Sequence, residues 1–213
     1  MDFYYKEELI QFLPEKVAFL PAHRMLVVAD LHLGKASHFQ KAGIMIPLPS
    51  SSPDLIALAQ LIEKSSATTV VFLGDLFHSS LNKEWEELRS FLEFYPAIRF
   101  VLTKGNHDIL SSEVMDSTSI DVLDELEVGE QLLLTHESLN EVQDGRLNIS
   151  GHIHPGVVIK SKGRQSFRLP CFYYHEHCLI LPAFGRLTGL HILKKEAGAK
   201  IYAVLKDEVI PLP

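Results

Sequence analysis

Short continuous apolar runs, each closed by a polar or turn-forming residue, recur along the chain. Met25–Ala29 runs into Asp30, Val70–Leu73 into Gly74-Asp75, Phe100–Leu102 into Thr103-Lys104-Gly105-Asn106, and Leu132–Leu134 into Thr135-His136. Runs of this length bounded by turn residues read as buried strands. Between them lie helical patterns. Ser52-Pro53-Asp54 has the form of a helix start, with a capping hydroxyl, proline in the first turn and an acid near the positive end. Leu55, Leu58 and Ile62 then give one apolar face, and Trp85, Leu88, Leu92 and Tyr95 mark a second stripe ended by Pro96. Both stripes read as core. The first half therefore alternates strand and helix, while from about Ile120 onward the pattern is mostly strands and turns. This predicts an α/β (α+β mixed) architecture. Ser50–Ser52 and Ser111-Ser112 are loop positions, and no repeat, low-complexity tract or linker divides the chain, so the expectation is one domain over 1–213.

A length of 213 residues with 46% apolar composition is enough for a full core without covalent staples. Cys171 and Cys178 lie in an apolar, aromatic stretch with no zinc-site spacing and read as plain buried thiols. The first twenty residues include Asp2, Lys6, Glu7 and Glu8 and no long apolar segment, so the expected location is the cytoplasm. A net charge of −7 argues against a broad basic face that coats nucleic acid. It leaves room for a nuclease, because two divalent ions would bring about four positive charges to the site itself.

The chemistry concentrates where the apolar runs end. Asp30-Leu31-His32, Gly74-Asp75, Gly105-Asn106-His107-Asp108, Thr135-His136 and Gly151-His152-Ile153-His154 each place metal-ligand residue types at such a point. Polar groups at the ends of neighbouring strands converge on a common crevice in α/β sheets. Imidazole and carboxylate ligands suit manganese, iron or zinc. Two such ions about 3.5 to 4 Å apart can activate a shared water and neutralise the oxygens of a phosphate ester. That pairing needs a bridging anion and terminal ligands from several segments, which is the inventory these five supply.

Taken in this order, the five motifs resemble the calcineurin-like metallophosphoesterase superfamily. The resemblance implies a four-layer α/β/β/α sandwich with two packed mixed β-sheets and two divalent metal ions, manganese first, with iron or zinc as alternatives. It implies that Asp30, His32 and His154 hold one metal, that Asn106, His136 and His152 hold the other, and that Asp75 bridges them. His107 would contact the phosphate and assist the leaving group, with Asp108 orienting its ring. The implied reaction is direct attack of a metal-bridged hydroxide on a phosphate ester. Ala29–Lys35 with Ala42–Pro47, Arg168–Phe172 and Leu181–Gly189 further resemble the bacterial ligase-associated DNA damage response endonucleases. This narrower likeness implies a nucleic-acid substrate in DNA repair and a DNA ligase or helicase as partner. Arg186-Leu187 departs from it, since an aromatic is expected before Thr188-Gly189. Two other readings stay open: a small-molecule phosphodiesterase for cyclic or dinucleotide substrates, and a non-catalytic scaffold on the same fold.

Lys35, after a tight turn at Gly34, and His78, shortly after Asp75, are candidate substrate contacts, with a solvated lysine and a structural histidine as the plainer readings. The stretch Lys160–Arg168 carries four positive residues and no acid; it reads either as a solvated hairpin with Lys162-Gly163 near its turn or as a guide for a polyanion. His175 and His177 read as the outward face of a strand. His23, His38 and His191 have no partner pattern.

Overall fold

The computed structural model describes residues 1–35, 52–77, 83–106, 118–142, 145–160 and 165–213. The first sheet is built from β1 (Asp2–Tyr5), β2 (Glu8–Leu13), β3 (Val17–Leu20), β4 (Met25–Ala29), β5 (Thr69–Leu73), β6 (Arg99–Thr103) and β7 (Ile120–Leu123), in that spatial order. Strands β1 to β4 form an antiparallel meander, and β4 to β7 run parallel. Parallel neighbours need a crossover of a dozen or more residues, usually through a helix. The Pro53–Ser65 helix lies between β4 and β5, and the Lys83–Phe94 helix between β5 and β6.

The remaining strands are β8 (Leu126–Val128), β9 (Leu132–Leu134), β10 (Leu147–Ser150), β11 (Pro155–Lys160), β12 (Ser166–His175), β13 (Cys178–Ile180), β14 (His191–Ile192), β15 (Lys200–Val204) and β16 (Val209–Leu212). They make a second mixed sheet in the order β14-β11-β12-β13-β10-β9-β8, with β15 also pairing β12 and β16 outside it.

Alternation along the strands explains the continuous apolar runs. Val27, Ala29, Val71, Leu73 and Val101 face the second sheet and pack with Leu132, Leu134, Leu147, Ile149, Phe172 and Leu179. Leu26, Val28, Val70, Phe72, Phe100 and Leu102 point the other way, onto Leu55, Leu58, Ile62, Trp85, Leu88 and Leu92 of the two helices. Strands buried on both faces have no polar side to show. The two packed mixed sheets and the helical cover agree with the sequence reading, as do both apolar stripes. Among the described residues both α-helices lie on the first sheet. The outer face of the second sheet, with Cys171, Tyr173 and Ile201, packs against Ala199 and Leu193.

Three local expectations change. The Ser52 hydroxyl makes no capping bond; the residue's backbone amide instead donates to Glu87 Oε2 at 3.0 Å. His175 closes β12, with Nε2 3.1 Å from the Ala197 carbonyl, while His177 lies in the following turn with Nδ1 2.8 Å from the Tyr5 hydroxyl. The N-terminal meander was not singled out by the pattern. Both cysteines are free, and burial pushes the Cys171 thiol up to about 12. Among the described residues no helix is long and apolar enough to cross a membrane.

A candidate two-metal centre at the strand ends

Asp30 immediately follows β4, Asp75 lies two residues beyond β5 and Asn106 three beyond β6, so all three sit at the C-terminal edge of the parallel part of the first sheet. His136 lies two residues beyond β9, and His152 and His154 just beyond β10, at the matching edge of the second. The two edges are stitched together there. Phe184 N–H, from the second sheet's side, donates to the Ala29 carbonyl of the first at 2.8 Å; within the second sheet's own edge Gly151 N–H donates to the His136 carbonyl at 3.0 Å. His32 N–H donates to the Asp75 carbonyl at 2.9 Å. Behind this seam, the Lys16 ammonium donates to the Phe184 carbonyl.

The backbone turns abruptly at these points. Asp30, His32, Asp75, His152 and His154 all have left-handed φ, between 45° and 66°. Such non-glycine conformations cost on the order of 1 to 3 kcal/mol each and persist where surrounding contacts fix them. Here they direct side chains from extended strands into one crevice. Glycines supply the clearance. A Cβ on Gly74, whose own φ is +65°, would lie 2.1 Å from His136 Nδ1, and one on Gly105 would lie 2.2 Å from the Asp75 nitrogen.

Two triads result. Asp30, His32 and His154 offer ligand atoms within 4.8 Å of one another, and so do Asp75, His136 and His152. In the first, His32 Nε2 is 3.4 Å from His154 Nε2, which is 3.6 Å from Asp30 Oδ1. In the second, His136 Nε2 is 3.1 Å from His152 Nδ1 and 3.6 Å from Asp75 Oδ1. Asp75 also reaches toward the first triad, with Oδ2 3.9 Å from His32 Nε2. Ligands about 2.1 Å from a common ion stand about 3 to 3.5 Å apart, so the spacing fits a divalent cation in each triad. Burial supports the same fit. Asp30 is fully buried and Asp75 is 2% exposed; histidines lie around both, and the Lys35 ammonium is near the pair. A cation supplies the counter-charge that buried carboxylates require.

Hydrogen bonds set the tautomer and aim of individual groups. His136 Nδ1 lies 3.0 Å from the Leu73 carbonyl, which accepts only if that nitrogen carries the proton. Nε2 thereby carries a lone pair that can ligate a cation beside Asp75. The His152 backbone N–H donates to both Asp30 oxygens, at 3.1 and 2.9 Å. Asn106 is exposed, and its Nδ2 donates to Glu137 Oε1 at 2.7 Å. Glu137 was not foreseen, although its place directly after His136 is a signal of proximity. Below the site, Asn148 links Leu133, Thr135 and Leu139 through its amide and so holds the β9–β10 ends together.

Lys35 is half-buried beyond a turn in which its amide donates to the His32 carbonyl at 3.3 Å; Gly34 has φ +86°. Burial lowers its pKa, and the Asp30 and Asp75 carboxylates oppose that shift, so its ammonium lies within the field of both triads. His78, His107 and Asp108 lie outside the described residues. Arg186, at the position that departs from the resemblance, donates its backbone N–H to Asp54 Oδ2 and places Nε 3.4 Å from Asp54 Oδ1. It ties the loop after β13 to the start of the Pro53–Ser65 helix.

A family model for calcineurin-like phosphoesterases matches residues 23–163, a span that contains all the candidate ligands. Among solved structures, a Pseudomonas putida nuclease, MPE, superposes with a TM-score of 0.79 at 27% identity, covering 100% of this chain and 99% of that one. Yfce, a phosphoesterase from E. coli, aligns over 87% of this chain and 90% of its own with a TM-score of 0.44 and 14% identity. No curated protein shows a significant sequence match.

Proposed function

The chain belongs to the calcineurin-like phosphoesterase family and is a metal-dependent phosphoester hydrolase; on that footing we propose that it is a phosphodiesterase acting on nucleic acid. The observation that carries the reading is the pair of triads with Asp75 between them, at the shared edge of two sheets. In this reading Asp30, His32 and His154 would hold one ion, Asn106, His136 and His152 the second, with Asp75 shared between them; ions so held would supply a water of lowered pKa and charge to offset the phosphoryl oxygens.

The protein's own groups do the rest. The Leu73 carbonyl keeps the His136 proton on Nδ1, and Glu137 holds the Asn106 amide so that its Oδ1 is the free ligand atom. His107 donates a proton to the departing oxygen, Asp108 orients its ring, and Lys35 and His78 contact the substrate phosphate. These four roles rest on the Gly-Asn-His-Asp turn and the flanking motifs. A positioned general acid is worth about 10² to 10⁴ in rate.

The nuclease reading is supported by the whole-chain likeness to the Pseudomonas putida nuclease and by the ligase-associated stretches. With it come endonuclease action in DNA repair, manganese as the resident metal, a DNA ligase or helicase as partner, a cytoplasmic location and a single functional domain spanning 1–213. The competing small-molecule phosphodiesterase calls for a closed pocket. The competing scaffold gives no reason for a histidine beside the ligand Asn106.

Chelator-stripped protein assayed on a chromogenic phosphate diester and the matching monoester, with and without Mn²⁺, tests the reading. The expected result is metal-restored hydrolysis that favours the diester. Hydrolysis of neither ester with any divalent metal would leave the scaffold.

A further inference from the structure

We propose that a nucleic-acid strand leaving the metal centre lies along the face of the β11–β12 ribbon that carries Lys160 and Arg168, held through its phosphates. The inference rests on the nucleic-acid reading above and extends it to the path of the substrate.

The ribbon begins at the site, since Pro155 directly follows His154. Five register pairs run outward from Gly156↔Pro170 through Val158↔Arg168 to Lys160↔Ser166. Among the described residues, the other edge of β11 is paired by β14 only at Pro155 and Gly156. Beyond that root Val158 is 37% exposed and Phe167 52%, and Lys160, Gln165, Ser166 and Arg168 are exposed as well.

The two faces of the ribbon differ. Phe172 of β12 belongs to the core between the sheets. Strand alternation places Pro170, Arg168 and Ser166 on that same side, and the register adds Gly156, Val158 and Lys160. At Phe172 this is the side on which the first sheet lies. Phe167, Leu169 and Val157 share the opposite side with Cys171 and Tyr173, on the outer surface of the second sheet.

Charge selects the occupant. The stretch Lys160–Arg168 holds four positive residues and no acid in a chain of net charge −7, so the rest of the chain sums to −11. Lys160 and Arg168 on a ribbon rooted at a phosphoester site, in an otherwise acidic protein, suit a polyanion rather than an added protein strand. Length fits too. At about 3.3 Å per residue, Arg168 and Lys160 lie up to about 13 and 20 Å from His154. With about 3.4 Å per nucleotide along a duplex strand, that is about four and six nucleotides from the cleaved phosphate.

The test compares wild type, Lys160→Gln/Arg168→Gln, and Phe167→Ala on the opposite face. Each is assayed with Mn²⁺ on bis(4-nitrophenyl) phosphate and for fluorescence-anisotropy binding and cleavage of a labelled DNA oligonucleotide over a salt series. The double variant should keep small-diester turnover within about two-fold and bind DNA at least about ten-fold more weakly, with a salt slope shallower by about one per removed charge. Phe167→Ala should behave as wild type. Unchanged DNA binding by the double variant, an equal loss on the small diester, or an equal loss in Phe167→Ala would each overturn the ribbon path while leaving the substrate reading intact. Wild type that cleaves the small diester but neither binds nor cleaves DNA would overturn both.

Discussion

The backbone amide of His152 donates to both carboxylate oxygens of Asp30, at 3.1 and 2.9 Å, across 122 residues of sequence. One residue lies just past β10 of the second sheet and the other just past β4 of the first. The contact therefore sets the distance between the two halves of the candidate centre as well as the orientation of a candidate ligand.

Gly151, which presents that amide, has no room for a methyl group. A Cβ there would lie 2.7 Å from Asp30 Oδ2 and 2.9 Å from the Ala29 Cβ. Gly151→Ala is expected to destabilise the fold by about 1 to 3 kcal/mol through overpacking. It should also bind less metal than wild type. Calorimetric melting and metal analysis check both, and an unchanged melting temperature with full metal content would contradict the steric account.

Asp75 reaches both triads, with Oδ1 3.6 Å from His136 Nε2 and Oδ2 3.9 Å from His32 Nε2. Asp75→Ala is expected to abolish binding of both ions rather than one. Elemental analysis after gel filtration reads this directly, and retention of one equivalent would argue against a bridge.

His107→Ala is expected to leave metal content intact and to lower turnover of a diester by at least about 100-fold. Paired measurement of bound metal and kcat decides it. Wild-type turnover would remove the general-acid role.

Lys16 provides a stability test away from the metals. Burial lowers its pKa from 10.5 to about 8, with Asp54 opposing and Arg186 reinforcing the shift. Between those values the unfolded chain holds a proton that the folded protein has released. Unfolding free energy due to this group thus rises with pH through the window and is least below it. Wild type should gain stability relative to Lys16→Met as pH rises from about 8 to 10.5, by at most about 1.4 kcal/mol per pH unit. Urea titrations of the two proteins across that range measure the difference, and parallel curves would contradict it.

Much of this was legible in the chain because it depends on local pattern. A strand buried on both faces must be apolar throughout, so Met25–Ala29 and Val70–Leu73 declared themselves, and Asp30 and Asp75 stood out as the polar residues at which they stop. Helical spacing did the same for Leu55, Leu58 and Ile62. Pattern was weaker where neighbours decide the outcome. Ser52 has the residue type of a cap, yet Glu87, thirty-five positions away, takes its amide. Strands β1 to β3 are short and amphipathic, and their pairing gives them away only in three dimensions.

The sequence by itself determined which residue types stand at the strand ends and in what order, because solvent exclusion of strands and the donor chemistry of Asp, Asn and His are local properties. The resemblance implied how they group; only the tertiary structure decided the distances and bonds by which they meet. That Asp30 Oδ1 lies 3.6 Å from His154 Nε2 and Asp75 Oδ1 3.6 Å from His136 Nε2, that Glu137 holds Asn106, and that the Leu73 carbonyl sets the His136 tautomer all depend on two sheets packing face to face with these strand ends on one side. They depend equally on Gly74, Gly105 and Gly151, whose places in the motifs are visible along the chain but whose close approaches to His136, Asp75 and Asp30 are not.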